Sequence, residues 1–226
     1  LVSEIALANP GEGARGTVAW LAGGSIVRVE RIGRSESGDV RLVLPDAESA
    51  SESSTESGAH EVRVPLPDLH AIVFDARRFI PLATIEARSV RAEGDRRWTP
   101  GLVVGDVDRA PLRLGDIEMP GPMSVEWEVP AGASRFATTV TLPRAMRVWG
   151  DCVVTFEMID GSGGVVALDS RRVLGDEPSQ RVVLALPAGG AGRVLRVGVL
   201  SGERGPIQDR PVLESPVFLV DPGASP

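Results

Sequence analysis

Lysine and tyrosine are absent from this chain, and cysteine occurs once. Every one of the 24 basic residues is therefore arginine, set against 31 acids for a net charge of -7. The arginines are scattered among acids, so no basic stripe forms of the kind that neutralises a phosphate backbone, and a nucleic-acid partner is disfavoured. No apolar run is long enough to span a bilayer. Cys152 has no intrachain disulfide partner and adjoins the apolar run VVTF, which reads as a buried structural thiol. Aromatic residues make up only 4% of the chain, all Phe or Trp, so the core must rest on Val, Leu, Ile and Ala. A hydrophobic content of 42% excludes wholesale disorder. The chain opens on Leu1 rather than Met, which suggests an N-terminal segment, such as a signal peptide, that was removed or lies outside this sequence.

What is present is alternation. In the last third, the runs RFATTVTL, CVVTFEMID, VVALDS, RVVLAL and RVLRVGVL follow one another with turn residues between them, the rhythm of an all-β sandwich. Earlier, two alternating segments flank Ala22-Gly23-Gly24 and predict a hairpin. DVRLVL, HEVRVPL and HAIVFDA supply three further strands. Between the first two of these lies an acidic, Ser-rich stretch over about 46–59, too poor in apolar groups to offset the entropy of ordering, which reads as a flexible insertion. These features give two all-β domains: residues 1–76 as a small barrel-like or bent sheet, and 77–226 as a β-sandwich. No amphipathic helix of useful length appears.

The glycine pattern at Gly11, Gly13 and Gly16 lacks the preceding strand and following helix of a dinucleotide turn. Glu126 and Glu128 share a strand face at about 7 Å, but Val125, Trp127 and Val129 would form the inward face and leave both carboxylates solvated. His60 and His70 lie at strand edges without metal-ligand spacing. Ser162 sits in the turn DGSGG, where Asp160 stands at the position two before the serine that a nucleophile elbow fills with glycine. No catalytic constellation emerges, so no enzyme activity is expected. No cofactor is expected either, although Asp106 and Asp108 are acids of the type that joins a structural calcium site. Trp98, in the polar loop DRRWTPG, supports two readings: stacking on a sugar face, or plugging the end of the sandwich.

Several segments, taken in order, resemble the NPCBM (novel putative carbohydrate-binding module) family. FIPLATIEARSV resembles its opening strand, RRWTPG its Trp-containing loop and PLRLGD the segment after it. SRFATTVTL and CVVTFEMIDGSGGVVALDS resemble its paired central strands, with Phe136, Phe156 and the Asp160-Gly161 turn in place. RVLRVGVL and DRPVLESPVFL resemble its closing strands, and the match spans about residues 79–220. The first domain is similar to small β domains that precede such modules, with Val64, Pro65, Leu66, Asp68, Leu69 and Phe74 fitting the pattern. The resemblance implies a galactose-binding-like jelly roll and a noncatalytic module of a secreted, periplasmic or envelope bacterial protein. Its implied partner is carbohydrate or another cell-envelope component, held by end loops of the sandwich. The expected contacts are Trp98 for stacking, with Asp209, Arg210 and Glu214 as polar partners. In the closing loop, however, Arg210 replaces the usual His, Val212 a polar residue, and Leu213 the Trp. That departure leaves a rival expectation: an assembly module with a degenerate sugar site.

Overall fold

The hairpin around Ala22-Gly23-Gly24 forms as its spacing predicts. In the computed structural model, which describes residues 16–35, 37–45, 60–94, 101–188 and 192–221, β1 (Thr17–Leu21) pairs antiparallel with β2 (Ile26–Val29). Then come β3 (Arg31–Arg34), β4 (Val40–Val43), β5 (Glu61–Val64) and β6 (Leu69–Val73). They make two three-stranded antiparallel sheets, ordered β2-β1-β6 and β3-β4-β5. Ala19, Val29, Leu42 and Val64 form one buried cluster between them, each the inward member of an alternating strand. His70 is exposed and its ring lies 4.7 Å from that of Trp20, so it acts as a cover on that indole. The insertion over 46–59 and the glycines Gly11 and Gly13 lie outside the described residues.

The chain divides into two compact units, one of Leu1–Arg77 with Asp108–Leu112 and one of Arg78–Val107 with Arg113–Pro226. The second unit begins with β7 (Phe79–Pro81), β8 (Ser89–Ala92), β9 (Val103–Val104), β10 (Ile117–Glu118) and β11 (Met123–Glu128). Its longer strands follow: β12 (Ala133–Thr141), β13 (Asp151–Ile159), β14 (Val165–Leu174), β15 (Ser179–Ala185), β16 (Val194–Ser201) and β17 (Val212–Val220). A five-stranded sheet, β14-β13-β16-β11-β8, faces a six-stranded one, β15-β12-β17-β10-β9, in which β7 also pairs β17. The all-β class expected from the sequence is therefore what forms.

Inward alternation fills the space between these sheets. Trp127 and Phe156 come from one sheet, Phe136 and Phe218 from the other, and each is at most 1% exposed. Phe136 packs tilted against Phe218 at 5.2 Å and Phe156 at 6.1 Å, bridging the layers.

The outward face of β11 requires a correction. Glu128 is exposed as expected, but Glu126 is only 9% exposed instead of solvated. Its Oε1 accepts from Arg196 Nε at 3.0 Å and Nη2 at 2.8 Å, while Arg196 Nη1 donates to Glu157 at 3.2 Å. Burial works to raise the Glu126 pKa, but the hydrogen bonds and charge of Arg196 more than offset it and hold the carboxyl below its usual range. Glu126 is thus an ion-pair partner held across three strands.

Cys152 is buried on β13 as expected, and burial, with Asp209 and Asp151 nearby, pushes its thiol up to about 12. Iodoacetamide at pH 8 should leave the native protein unlabelled and label it fully in denaturant. Rapid labelling of the native chain would contradict this burial.

Candidate functional site

Four loops of the second unit meet at one end of the sandwich: those between β10 and β11, β12 and β13, β14 and β15, and β16 and β17. Backbone hydrogen bonds knit them together. Leu142 N–H donates to the Pro178 carbonyl at 2.7 Å, Gly202 N–H to that of Asp151 at 2.6 Å, and Gly121 N–H to that of Asp209 at 2.7 Å. The loops are therefore a rigid platform, a suitable place for groups that must be held in position.

The loop between β12 and β13 determines which side chains reach solvent. Leu142 is fully buried and Met146 packs against the core, which fixes both ends of a short 3-10 turn over Arg144–Met146. Gly150 N–H then folds back to the Met146 carbonyl at 2.8 Å. At Gly150 a Cβ would stand 2.6 Å from that carbonyl oxygen and 2.9 Å from that of Gln208, so only glycine allows this closure. Between the anchors the chain bulges outward. Val148 is 67% exposed and Trp149 57%.

A charged brace underlies that bulge. Asp151, almost wholly buried, receives Arg172 Nε on Oδ1 and Arg172 Nη2 on Oδ2, both at 2.8 Å, and Glu203 N–H on Oδ2 at 3.0 Å. Its own N–H donates to Asp209 Oδ1 at 3.2 Å. The Arg172 bonds hold the Asp151 carboxyl below its usual range despite burial. Gly202 passes so close that a Cβ would collide with the Asp151 carboxylate.

The residues expected from sequence fall in different places. Trp98 lies outside the described residues. Asp209, expected to face a ligand, is 1% exposed and points inward to the Asp151 backbone, because the loop closes over it. Arg210 is exposed but ion-paired with Glu118. Glu214 is exposed on β17, opposite Thr139, whereas its neighbour Leu213 is fully buried against Ile117 and Val140 in the ladder. These three do not converge on one open surface. Ser162 is a turn residue whose N–H and hydroxyl both donate to Asp160 Oδ1. Among the described residues no group of three or more His, Cys, Asp or Glu stands together as metal ligands.

Trp149 was missed in the sequence reading. Its signal was an aromatic in MRVWGD, between Pro143 and Gly150, where no alternation carries it inward. Exposed Arg204 donates from Nη1 to the adjoining Val148 carbonyl at 3.5 Å, and Gln208 is partly exposed. Gln208 Oε1 accepts the Trp149 N–H at 3.2 Å. An apolar indole beside neutral and charged donors and acceptors can bind a ring that has both a C–H face and hydroxyls. A separate groove of about 420 Å³ is lined, among the described residues, by Leu82, Ile85, Leu102, Val104, Ile117 and Trp127, with Thr84 and Glu86 as polar neighbours.

No protein-family model matches the chain, and no curated protein matches it. Solved structures do. CBM51-2 with INT domains from Clostridium perfringens ZmpB superposes with a TM-score of 0.50 at 12% identity, over 87% of this chain and 42% of that one. The CBM51-2 and INT domains of the same protein with GlcNAc give 0.46 at 13%, over 87% and 42%. CBM51 from Clostridium perfringens GH95 in complex with methyl-galactose gives 0.45 at 12%, over 62% of this chain and 99% of that one. These structural neighbours are carbohydrate-binding modules, and the superposition at a TM-score of 0.50 shows an all-β fold that this chain shares. No helix among the described residues is long and apolar enough to cross a membrane.

Proposed function

We propose that this protein is a noncatalytic carbohydrate-binding module, related to the NPCBM type and belonging to a secreted or envelope bacterial protein. On this reading it holds a saccharide on the loop end of its sandwich. The observation that carries the reading is Trp149, a half-exposed indole on a loop braced from below, on a jelly roll shared with carbohydrate-binding modules. The indole covers the C–H face of a sugar ring while Gln208, Arg204 and Glu203 meet its hydroxyls. Covering on the order of 100 Å² of apolar surface is worth about 2–3 kcal/mol, enough to dominate a weak sugar affinity. Trp98 and Arg210 remain proposed as secondary contacts.

The test is a glycan array followed by calorimetric titration. Trp149→Ala should weaken binding by about tenfold or more with at most a small drop in melting temperature, because over half of that residue is already in water. Unchanged affinity in that variant would sink the proposal. The buried Leu213 and the Arg210 to Glu118 ion pair favour a second reading, an assembly module whose closing loop is structural. That reading expects no saturable glycan binding, together with a mass that rises with concentration in light scattering.

A further inference from the structure

Gln208 is hydrogen-bonded to the backbone of the residue that carries the exposed indole, and its own backbone adopts a conformation that few residues with a side chain adopt, φ +61°. Its side-chain oxygen accepts the backbone N–H of Trp149, and the following residue, Asp209, accepts that of Asp151. Two successive side chains of one loop thus grip the backbone of the other on either side of Gly150. A backbone N–H can donate only to the amide oxygen, so this contact settles which end of the Gln208 amide is which. The NH2 group is left with no acceptor among the described residues, in a side chain that is partly exposed.

We infer that Gln208 does two things at this site: its oxygen positions the Trp149 loop, and its NH2 donates to an oxygen of the ligand lying on the indole. The second role rests on the saccharide reading above. An amide tethered through its oxygen has lost its rotational freedom before the ligand arrives, so its donors are presented without a further ordering cost. Being neutral, they suit a hydroxyl or ring oxygen. The site therefore requires an acceptor at the edge of the stacked ring and discriminates against a sugar lacking an oxygen there.

Two variants separate the roles. Gln208→Glu keeps the accepting oxygen and the side-chain volume but removes the donors; Gln208→Ala removes both. Hydrogen exchange of the Trp149 amide, read by NMR in the full chain, reports the clamp without any ligand. Titration with methyl-galactose, N-acetylglucosamine and the strongest binder on the array reports donation. Gln208→Glu should leave Trp149 exchange close to wild type and weaken binding by about tenfold, the loss expected for one hydrogen bond. Gln208→Ala should accelerate the exchange and weaken binding as well. Wild-type affinity in Gln208→Glu overturns the donor role, and unchanged Trp149 exchange in Gln208→Ala overturns the clamp. If the wild-type protein binds no saccharide, the saccharide reading and the donor role fall together, while exchange still decides the clamp. Should the alanine variant fail to fold, wild-type-like exchange in Gln208→Glu supports the clamp and accelerated exchange there overturns it.

Discussion

Phe136→Ala is expected to lower the unfolding free energy by about 3–5 kcal/mol, the range for deleting a buried phenyl ring from a packed core. Phe136 is fully buried, and its ring touches Phe218 on the neighbouring strand and Phe156 on the facing sheet. Removing it opens a void between layers that the strands cannot collapse to fill, because their spacing is set by backbone ladders on both sides. It also removes both aromatic contacts of the central ring. Phe136→Leu retains most of the volume and should cost less than half as much. Urea unfolding of the full chain measures both, and a loss below about 1 kcal/mol for the alanine variant would show that this ring does not bridge the layers.

Asp151→Asn should cost about 2–4 kcal/mol at neutral pH, with the lower half of that range favoured because Arg172 is partly exposed and screened by water. The substitution removes the charge that two guanidinium N–H groups and the Glu203 N–H converge on, and turns one acceptor into a donor facing donors. The pH dependence has a definite sign. Arg172's bonds depress the Asp151 pKa in the folded state below its ordinary 3.8, so the stabilisation is fully present above that value and is lost as pH falls through the lower folded pKa. The stability difference between wild type and Asp151→Asn should therefore be constant from pH 5 to 7 and shrink below about pH 3.8. A difference that grew on acidification would refute the brace.

Strand positions were legible because alternation survives any tertiary arrangement that buries one face. RFATTVTL and CVVTFEMID place Phe136, Val140, Cys152 and Phe156 inward whatever sheets they join. The site was much less legible. Asp209 looked like a ligand-facing carboxylate because it sits in a polar loop, and Glu126 like a solvated one because alternation with Val125 and Trp127 turns it away from the core. Whether a carboxylate meets water depends on what packs over it, and here that is supplied by the Asp151 backbone and by Arg196 from distant strands. Trp149 illustrates the reverse: an aromatic beside valine in sequence, it stands in solvent because Met146 and Gly150 close a turn beneath it.

By itself, then, the sequence determined the all-β class, the inward residues of alternating strands such as β12 and β13, and the buried thiol, since these follow from local periodicity and composition. Only the tertiary structure decided that the closing loop turns Leu213 and Asp209 inward, and that the exposed indole at that end is Trp149. Those outcomes depend on contacts between residues about 60 positions apart, such as Gln208 with Trp149 and Asp209 with Asp151, and no local pattern encodes them.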